Sequence, residues 1–108
     1  MSTPKETFAE IANRLNDKEQ AAAAKEIDAV YQFHVTGDEG GDWVVDLRNL
    51  KVSEGKHEEA DCTITVADAD FVAMAKGEIP GQMLFMTGRL AIAGNMGLAL
   101  KLGSVLGQ

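Results

Sequence analysis

Few side chains of the chain have the reactivity that catalysis requires, and they are scattered. Cys62, the only cysteine, has no His or basic residue close by in sequence that would lower its pKa. We interpret it as a small buried apolar residue rather than a nucleophile. His34 and His57 are far apart and lack Cys or carboxylate partners at ligand spacing. The sequence therefore predicts no catalytic residue and no metal ligand.

Two short motifs resemble known binding sites but lack the context that those sites need. The run Asp38-Glu39-Gly40-Gly41-Asp42 is acidic, yet it has no twelve-residue calcium pattern that ends in Glu. It is typical of a hairpin loop. Gly94-Asn95-Met96-Gly97 matches the Gly-x-x-Gly of RNA-binding KH domains without basic surroundings. We expect Gly94 to let a strand turn into a helix.

Proton transfer on a steroid-like substrate is the enzymatic alternative, since small α+β folds with a cavity support it. Such a site needs a carboxylate base and a Tyr or protonated Asp as donor. The only tyrosine is Tyr31, and Asp68 and Asp70 stand where a helix start explains them. The sequence thus indicates a protein that is not an enzyme and needs no cofactor.

The first half of the chain predicts a helix followed by strands. Thr3 as N-cap, Pro4 and Glu6 form a helix-start signal, and the amphipathic pattern from Phe8 to Leu15 predicts a helix that ends between residues 16 and 24. Alternation from Ile27 to Thr36 predicts a strand whose polar residues, Gln32 among them, face water. A loop over 37–42, a strand over 43–48 and a short strand near Val52 follow.

The second half predicts one further strand, then mostly helices. Residues 62–66 alternate as a fourth strand, and Asp68 is the expected N-cap of a helix over 69–76 that Gly77 ends. A short helix from Pro80 to Phe85, a fifth strand over 89–93 and a helix capped by Asn95 and reaching about Leu106 complete the pattern. The fold class is α+β with a mostly antiparallel sheet.

The last predicted helix is more apolar than one packing contact requires. Its polar stripe is narrow, and four of the five methionines lie in the last 38 residues. The excess apolar surface faces either an internal ligand cavity, the protein core, or a second subunit. In the last case the helix would be a protein–protein seam in an interaction or dimerisation domain.

Charge and composition narrow the class of partner. The net charge of −7 disfavours nucleic acid, while residues 71–108 are nearly uncharged and are where we expect any transient membrane contact. With 108 residues and one cysteine, we expect a single domain over 1–108 in a reducing compartment. We expect a cytoplasmic location, since no secretory signal, membrane span or Ser-Lys-Leu terminus is present.

Several segments together resemble the sterol carrier protein 2 domain family. They are Trp43-Val44-Val45-Asp46, Ala60-Asp61-Cys62-Thr63-Ile64-Thr65, Ala67-Asp68, Asp70-Phe71, Gly88-Arg89-Leu90 and Gly94-Asn95-Met96-Gly97-Leu98-Ala99. The resemblance implies a five-stranded sheet covered on one face by helices, with a hydrophobic tunnel between the layers. It also implies binding of fatty acids, fatty acyl-CoA, phospholipids or sterols.

We therefore predict a non-catalytic lipid carrier that acts as a monomer and takes up its ligand in that tunnel. The predicted lining residues are all large and apolar: Trp43, Met74, Met83, Phe85, Met86, Leu98, Leu102 and Leu106.

Overall fold

Five helices and five strands lie within residues 3–102, the part of the chain that the computed structural model describes; the side chains of Leu100 and Leu102 are outside that description. In chain order they are α1 (Pro4–Arg14), α2 (Lys18–Ile27), β1 (Val30–Thr36), β2 (Gly41–Asp46), β3 (Lys51–Glu54), β4 (Cys62–Ala67), α3 (Asp68–Ala75), α4 (Gly81–Met86), β5 (Leu90–Gly94) and α5 (Met96–Leu102).

The strands form one sheet in the order β3-β2-β1-β4-β5, with β1 at its centre. Only the central β1–β4 pair is parallel, and the other three pairs of neighbours are antiparallel. The register places Phe33 of β1 between Trp43 of β2 and Ile64 of β4. The prediction of an α+β fold with a mostly antiparallel sheet is confirmed.

Local capping signals set several helix starts where the sequence predicts them. The Thr3 hydroxyl accepts a hydrogen bond from the Glu6 amide at 3.2 Å, and Pro4 is the first residue of α1. The Asn95 side chain likewise accepts from the Leu98 amide at 3.2 Å. The predicted end of the last helix, near Leu106, lies outside the described residues.

The predicted course of the chain between residues 15 and 29 is wrong. Helix α1 ends at Arg14, and Asp17 caps a second helix, α2, by accepting hydrogen bonds from the Glu19 and Gln20 amides. Ile27 ends α2 instead of opening a strand, because Asp28 adopts a left-handed conformation and terminates the helix. Strand β1 therefore begins at Val30.

Two further expectations are corrected by contacts between segments far apart in sequence. Asp68 is the first residue of α3, and Ala67 stands at the N-cap. The Asp68 carboxylate accepts from the Ala69 amide and from the Glu39 amide of the β1–β2 loop. Gln32 is buried rather than solvent-facing, because the segment after β3 crosses it and hydrogen-bonds to its side chain.

Candidate functional site

An apolar layer fills the space between the helices and the centre of the sheet. Its middle is an aromatic cluster in which the ring of Phe8, from α1, lies 4.6 Å from Trp43, 4.7 Å from Phe71 and 5.5 Å from Phe33. Phe33 and Phe71 meet edge to face at 5.5 Å. These separations lie in the favourable range for aromatic pairs. The cluster thus connects the helices α1 and α3 to the paired strands β1 and β2 through side-chain contacts.

One glycine and one tyrosine contribute to the position of helix α5 against the layer. Gly94 has φ 102°, and a Cβ at this position would stand 2.6 Å from the Asp61 carbonyl oxygen, so only glycine fits the turn from β5 into α5. The Tyr31 hydroxyl donates a hydrogen bond to the Leu98 carbonyl at 2.5 Å. Because Tyr31 is fully buried on the central strand, this bond holds α5 against the sheet.

Three of the predicted lining residues meet at this layer. Met74 of α3 is buried in the core, and Trp43 and Leu98 are half-buried and pack against it. They come from three different elements, β2, α3 and α5, and share contact with one hydrophobic core. The side chain of Leu102 and the whole of Leu106 lie outside the described residues.

The predicted lining residues of α4 lie elsewhere, on the surface of that helix. Met83, Phe85 and Met86 are 53%, 41% and 76% exposed, while Leu84 between them is fully buried in the core. The structure therefore does not bring these three side chains into the cluster that Trp43, Met74 and Leu98 join. A lining role for them stays a prediction.

The reactive groups next to the layer are held in their neutral forms. Burial raises the pKa of Tyr31, and the nearby Cys62 and Asp61 raise it further. Burial likewise raises the pKa of the Cys62 thiol, with a smaller contribution from Asp61. A thiol whose pKa is raised stays protonated at neutral pH and is a weak nucleophile. Both side chains therefore behave as packing groups of the apolar layer.

Polar side chains gather on the opposite face of the sheet and do not reach the apolar layer. His34 contacts the Asp42 carboxylate across the β1–β2 pair. Gln32 donates to the carbonyls of Trp43 and Gly55 and accepts from the His57 amide. Among residues 3–102, no group of three His, Cys, Asp or Glu side chains is arranged to hold a metal ion.

Tyr31 and Phe71 are among the residues of this layer that sequence reasoning did not assign to the site, as are Phe8 and Phe33 of the aromatic cluster. Tyr31 lies on the alternating apolar face of β1, beside Phe33, so its burial follows from the strand pattern. Its hydrogen bond to α5 does not follow from the strand pattern, because the partner, Leu98, is 67 residues away. Phe71 lies three residues before Met74 on α3, and this spacing is the signal that places both on one helix face.

A family model described as the SCP-2 sterol transfer family matches residues 8–107. The chain belongs to this family. The SCP-2 match spans α1 to α5, so it includes every described element that contributes to the apolar layer. In the described part of this SCP-2 chain, every helix is too short or too polar to traverse a bilayer.

Curated relatives share the SCP-2 region but are much longer. The chain is 42% identical over 106 residues to hydroxysteroid dehydrogenase-like protein 2 of Xenopus laevis, covering 95% of this chain and 24% of that protein. It is 43% identical over 103 residues to sterol carrier protein 2 of Rattus norvegicus, covering 91% of this chain and 19% of that protein. The chain therefore spans a quarter or less of these two relatives.

A solved SCP-2 structure has the same fold. It is the solution structure of sterol carrier protein 2 from Aedes aegypti in complex with palmitate, a C16 fatty acid. The two chains are 29% identical, and the superposition has a TM-score of 0.76 and covers 94% of this chain and 92% of that one. The five-stranded sheet with its covering helices is thus shared over almost the whole length of both.

Proposed function

We propose that this SCP-2 chain binds a fatty acid or a related lipid in an apolar tunnel between the helical layer and the sheet. The observation that carries the proposal is the palmitate complex of the Aedes aegypti protein, which shares the fold over 94% of this chain. The expected ligands are a fatty acid, a fatty acyl-CoA, a phospholipid or a sterol. The ligand would be carried without being chemically changed.

The proposed tunnel runs through the apolar layer, beside the aromatic cluster and under α5. Trp43, Met74 and Leu98 form its walls in this proposal, because they come from β2, α3 and α5 and belong to or pack against the same hydrophobic core. A methionine suits such a wall because its flexible thioether adapts to ligands of different shape.

An apolar tunnel of this kind supplies enough free energy without a charged clamp. Each buried methylene contributes about 0.8 kcal/mol, so an acyl chain of about fourteen gives roughly 11 kcal/mol before costs. Association costs of about 4 kcal/mol or more reduce this to micromolar affinity. Selectivity among chain lengths would be low, since one methylene changes the binding free energy by only about 1–3 kcal/mol.

We propose that residues 1–108 carry the lipid and have no catalytic role of their own. The Tyr31 hydroxyl donates a hydrogen bond to the Leu98 carbonyl, and burial keeps the Cys62 thiol protonated. Both observations support a non-catalytic role, because they leave neither a free phenol donor nor a thiolate nucleophile at neutral pH. In this proposal residues 1–108 form one lipid-binding domain that acts as a monomer. A reducing compartment such as the cytoplasm is proposed as its location, which the free thiol of Cys62 suits.

Displacement of a fluorescent fatty acid tests this function. Delipidated protein is titrated with the probe, and palmitate, palmitoyl-CoA and cholesterol then compete for the site. We expect saturable binding at about one probe per chain and displacement by at least one of the competitors. Folded protein that shows no saturable binding would overturn the carrier function. Concentration-dependent dimerisation without ligand binding would instead favour a subunit seam on α5.

A further inference from the structure

Helix α4 (Gly81–Met86) exposes three of its four large apolar side chains. Leu84 is fully buried and fixes the helix to the core, whereas Met83 and Met86 are 53% and 76% exposed. Residues three apart lie on the same side of a helix, so Met83 and Met86 project together, and Phe85, 41% exposed, flanks them on another side. Contiguous exposed apolar groups of this size mark an interaction surface.

We propose that α4 is the surface by which this protein docks on a zwitterionic phospholipid bilayer. The proposal rests on the carrier function above, because a lipid carrier exchanges its ligand with a membrane. The docking surface consists of Met83, Phe85 and Met86. Inserting these side chains among the headgroups removes their apolar area from water, which is the driving force of interfacial helices.

The charges around α4 favour a neutral lipid surface over an anionic one. Residues 79–88 contain no Asp, Glu, Lys or Arg, although the whole chain carries a net charge of −7. The adjacent charges compensate one another, since Arg89 pairs with Asp70 and Lys76 is opposite in sign to Glu78. A net negative protein is repelled by anionic lipid, while zwitterionic headgroups exert no net repulsion.

A bilayer fits the docking surface better than a second protein does. Three side chains present apolar area on the order of a few hundred Å². A specific protein–protein interface buries about 800 Å² on each partner and requires a complementary shape. A bilayer requires no such shape, and flexible methionines insert into its irregular headgroup region without a fixed partner.

Helix α1 has no comparable surface, although its sequence is amphipathic. Its large apolar side chains, Phe8, Ile11 and Leu15 at its end, are buried in the core. Its exposed positions are small or polar: Lys5, Glu6, Ala9, Glu10 and Asn13. Among the side chains that the structure describes, α4 exposes three large apolar ones, whereas α1 exposes none and α5 exposes one, Met96.

Sedimentation with phosphatidylcholine vesicles tests the docking directly. The variant Met83→Gln/Met86→Gln keeps side-chain length and helix propensity while making the surface polar. We expect its partition coefficient to fall at least about tenfold below that of the wild type. The matched control Ala22→Gln/Ala23→Gln alters two exposed positions of α2 and should leave partitioning unchanged. Equal sedimentation of the Met83/Met86 variant and the wild type would refute the proposal.

Lipid charge gives a second readout that does not depend on any variant. Replacing phosphatidylcholine with an equimolar mixture of phosphatidylcholine and phosphatidylserine should weaken wild-type partitioning at low salt, and added salt should restore it. Stronger sedimentation with the anionic mixture would contradict the neutral-surface assignment.

Loss of a wild-type dimer in the Met83/Met86 variant, measured by sedimentation velocity, would show a subunit interface instead and would also refute the proposal.

A fluorescent label locates the contact even if the double variant folds poorly. An environment-sensitive dye on Met86→Cys should shift to the blue with vesicles, while a dye on Ala23→Cys should not; buried Cys62 is protected from labelling. If the wild-type protein binds fatty acid but does not bind vesicles, docking is refuted and the carrier function is unaffected. Vesicle docking without fatty-acid binding would support docking and refute the carrier function.

Discussion

The Tyr31 hydroxyl and the Leu98 carbonyl are joined by a hydrogen bond that links the central strand to α5. Tyr31 is fully buried, so this bond lies inside the apolar layer, where an unpaired hydroxyl would be costly. Leu98 is also a proposed wall of the lipid tunnel. This polar contact between two elements far apart in sequence therefore acts together with the packing of Leu98 and Ala99 against the core to position that wall.

Replacing Tyr31 with phenylalanine removes the hydroxyl and retains the ring. We expect the free energy of unfolding to fall by about 1 kcal/mol, the usual net contribution of one such hydrogen bond. The amides of α5 should exchange with solvent faster in the variant than in the wild type, because α5 loses one of its contacts with the sheet, whereas the exchange of β1 should change less. Urea denaturation and hydrogen exchange measure the two effects. Unchanged exchange in α5 would show that other contacts hold the helix.

The side chain of Gln32 joins three segments beneath the sheet. It donates to the Trp43 and Gly55 carbonyls, both at 3.0 Å, and accepts from the His57 amide at 2.6 Å. Gln32 itself is buried, and Gln32→Leu leaves these partly buried backbone groups without their partner. We expect a loss of about 2–4 kcal/mol of stability in urea denaturation.

A second glutamine supplies the control for that change. Gln20 lies exposed on α2, so Gln20→Leu should alter stability by no more than about 0.5 kcal/mol. Similar effects of the two substitutions would mean that the hydrogen bonds of Gln32 do not determine its contribution.

Asp46 gives the fold a dependence on acid pH. Burial raises the pKa of Asp46, but hydrogen bonds from the Asn49 side chain and from the Asn49 and Arg48 amides outweigh it and lower the pKa below the usual 3.8. The ionised form is therefore favoured in the folded state. Its stabilisation is present above about pH 4 and is lost as the pH falls through the lowered pKa.

The variant Asp46→Ala should be less stable than the wild type by about 1 kcal/mol at neutral pH, a modest value because the site is solvent-accessible. The difference should shrink in denaturation experiments below about pH 4, where the wild-type carboxylate becomes protonated. Asp38→Ala, in an exposed loop, reports the effect of removing one negative charge elsewhere. A difference for Asp46→Ala that stays constant down to pH 2 would contradict this account.

Leu98→Gln tests the proposed tunnel wall. It places an amide where Leu98 packs against the core, so we expect fatty-acid affinity to fall at least about tenfold. Asp38→Asn changes an exposed loop and should leave affinity unchanged. Thermal denaturation of both variants separates loss of binding from loss of folding. If the loop substitution removes binding and folded Leu98→Gln retains it, the site has been misplaced.

The sequence predicts those parts of the fold that depend on neighbouring residues. Thr3 and Asn95 hydrogen-bond to amides three residues away and so cap their helices. The alternation of apolar and polar residues around Phe33 and Ile64 indicates burial on one face of the sheet. Helix α2 was missed because its run of alanines has little amphipathic pattern and only Ala24 is buried. The β-branched Ile27, which is the last residue of α2, favours a strand that begins too early.

The residues that sequence reasoning misplaced depend on distant partners. Gln32 looks solvent-facing because nothing in its own strand shows that residues 55–57 will cover it. The Tyr31–Leu98 bond joins residues 67 positions apart. The apolar run of α4 looks like core, yet only Leu84 is buried there, because a six-residue helix has one side against the molecule. Local pattern does not encode these tertiary contacts.

Calorimetric titration of the delipidated protein with palmitate tests the central claim most directly. We expect saturable heat with about one palmitate bound per chain and a negative change in heat capacity, the mark of apolar surface removed from water. Saturable binding with a negative heat-capacity change would indicate that the acyl chain lies in an apolar interior. Folded protein that gives no saturable heat at any temperature, or binding with no heat-capacity change, would contradict the tunnel.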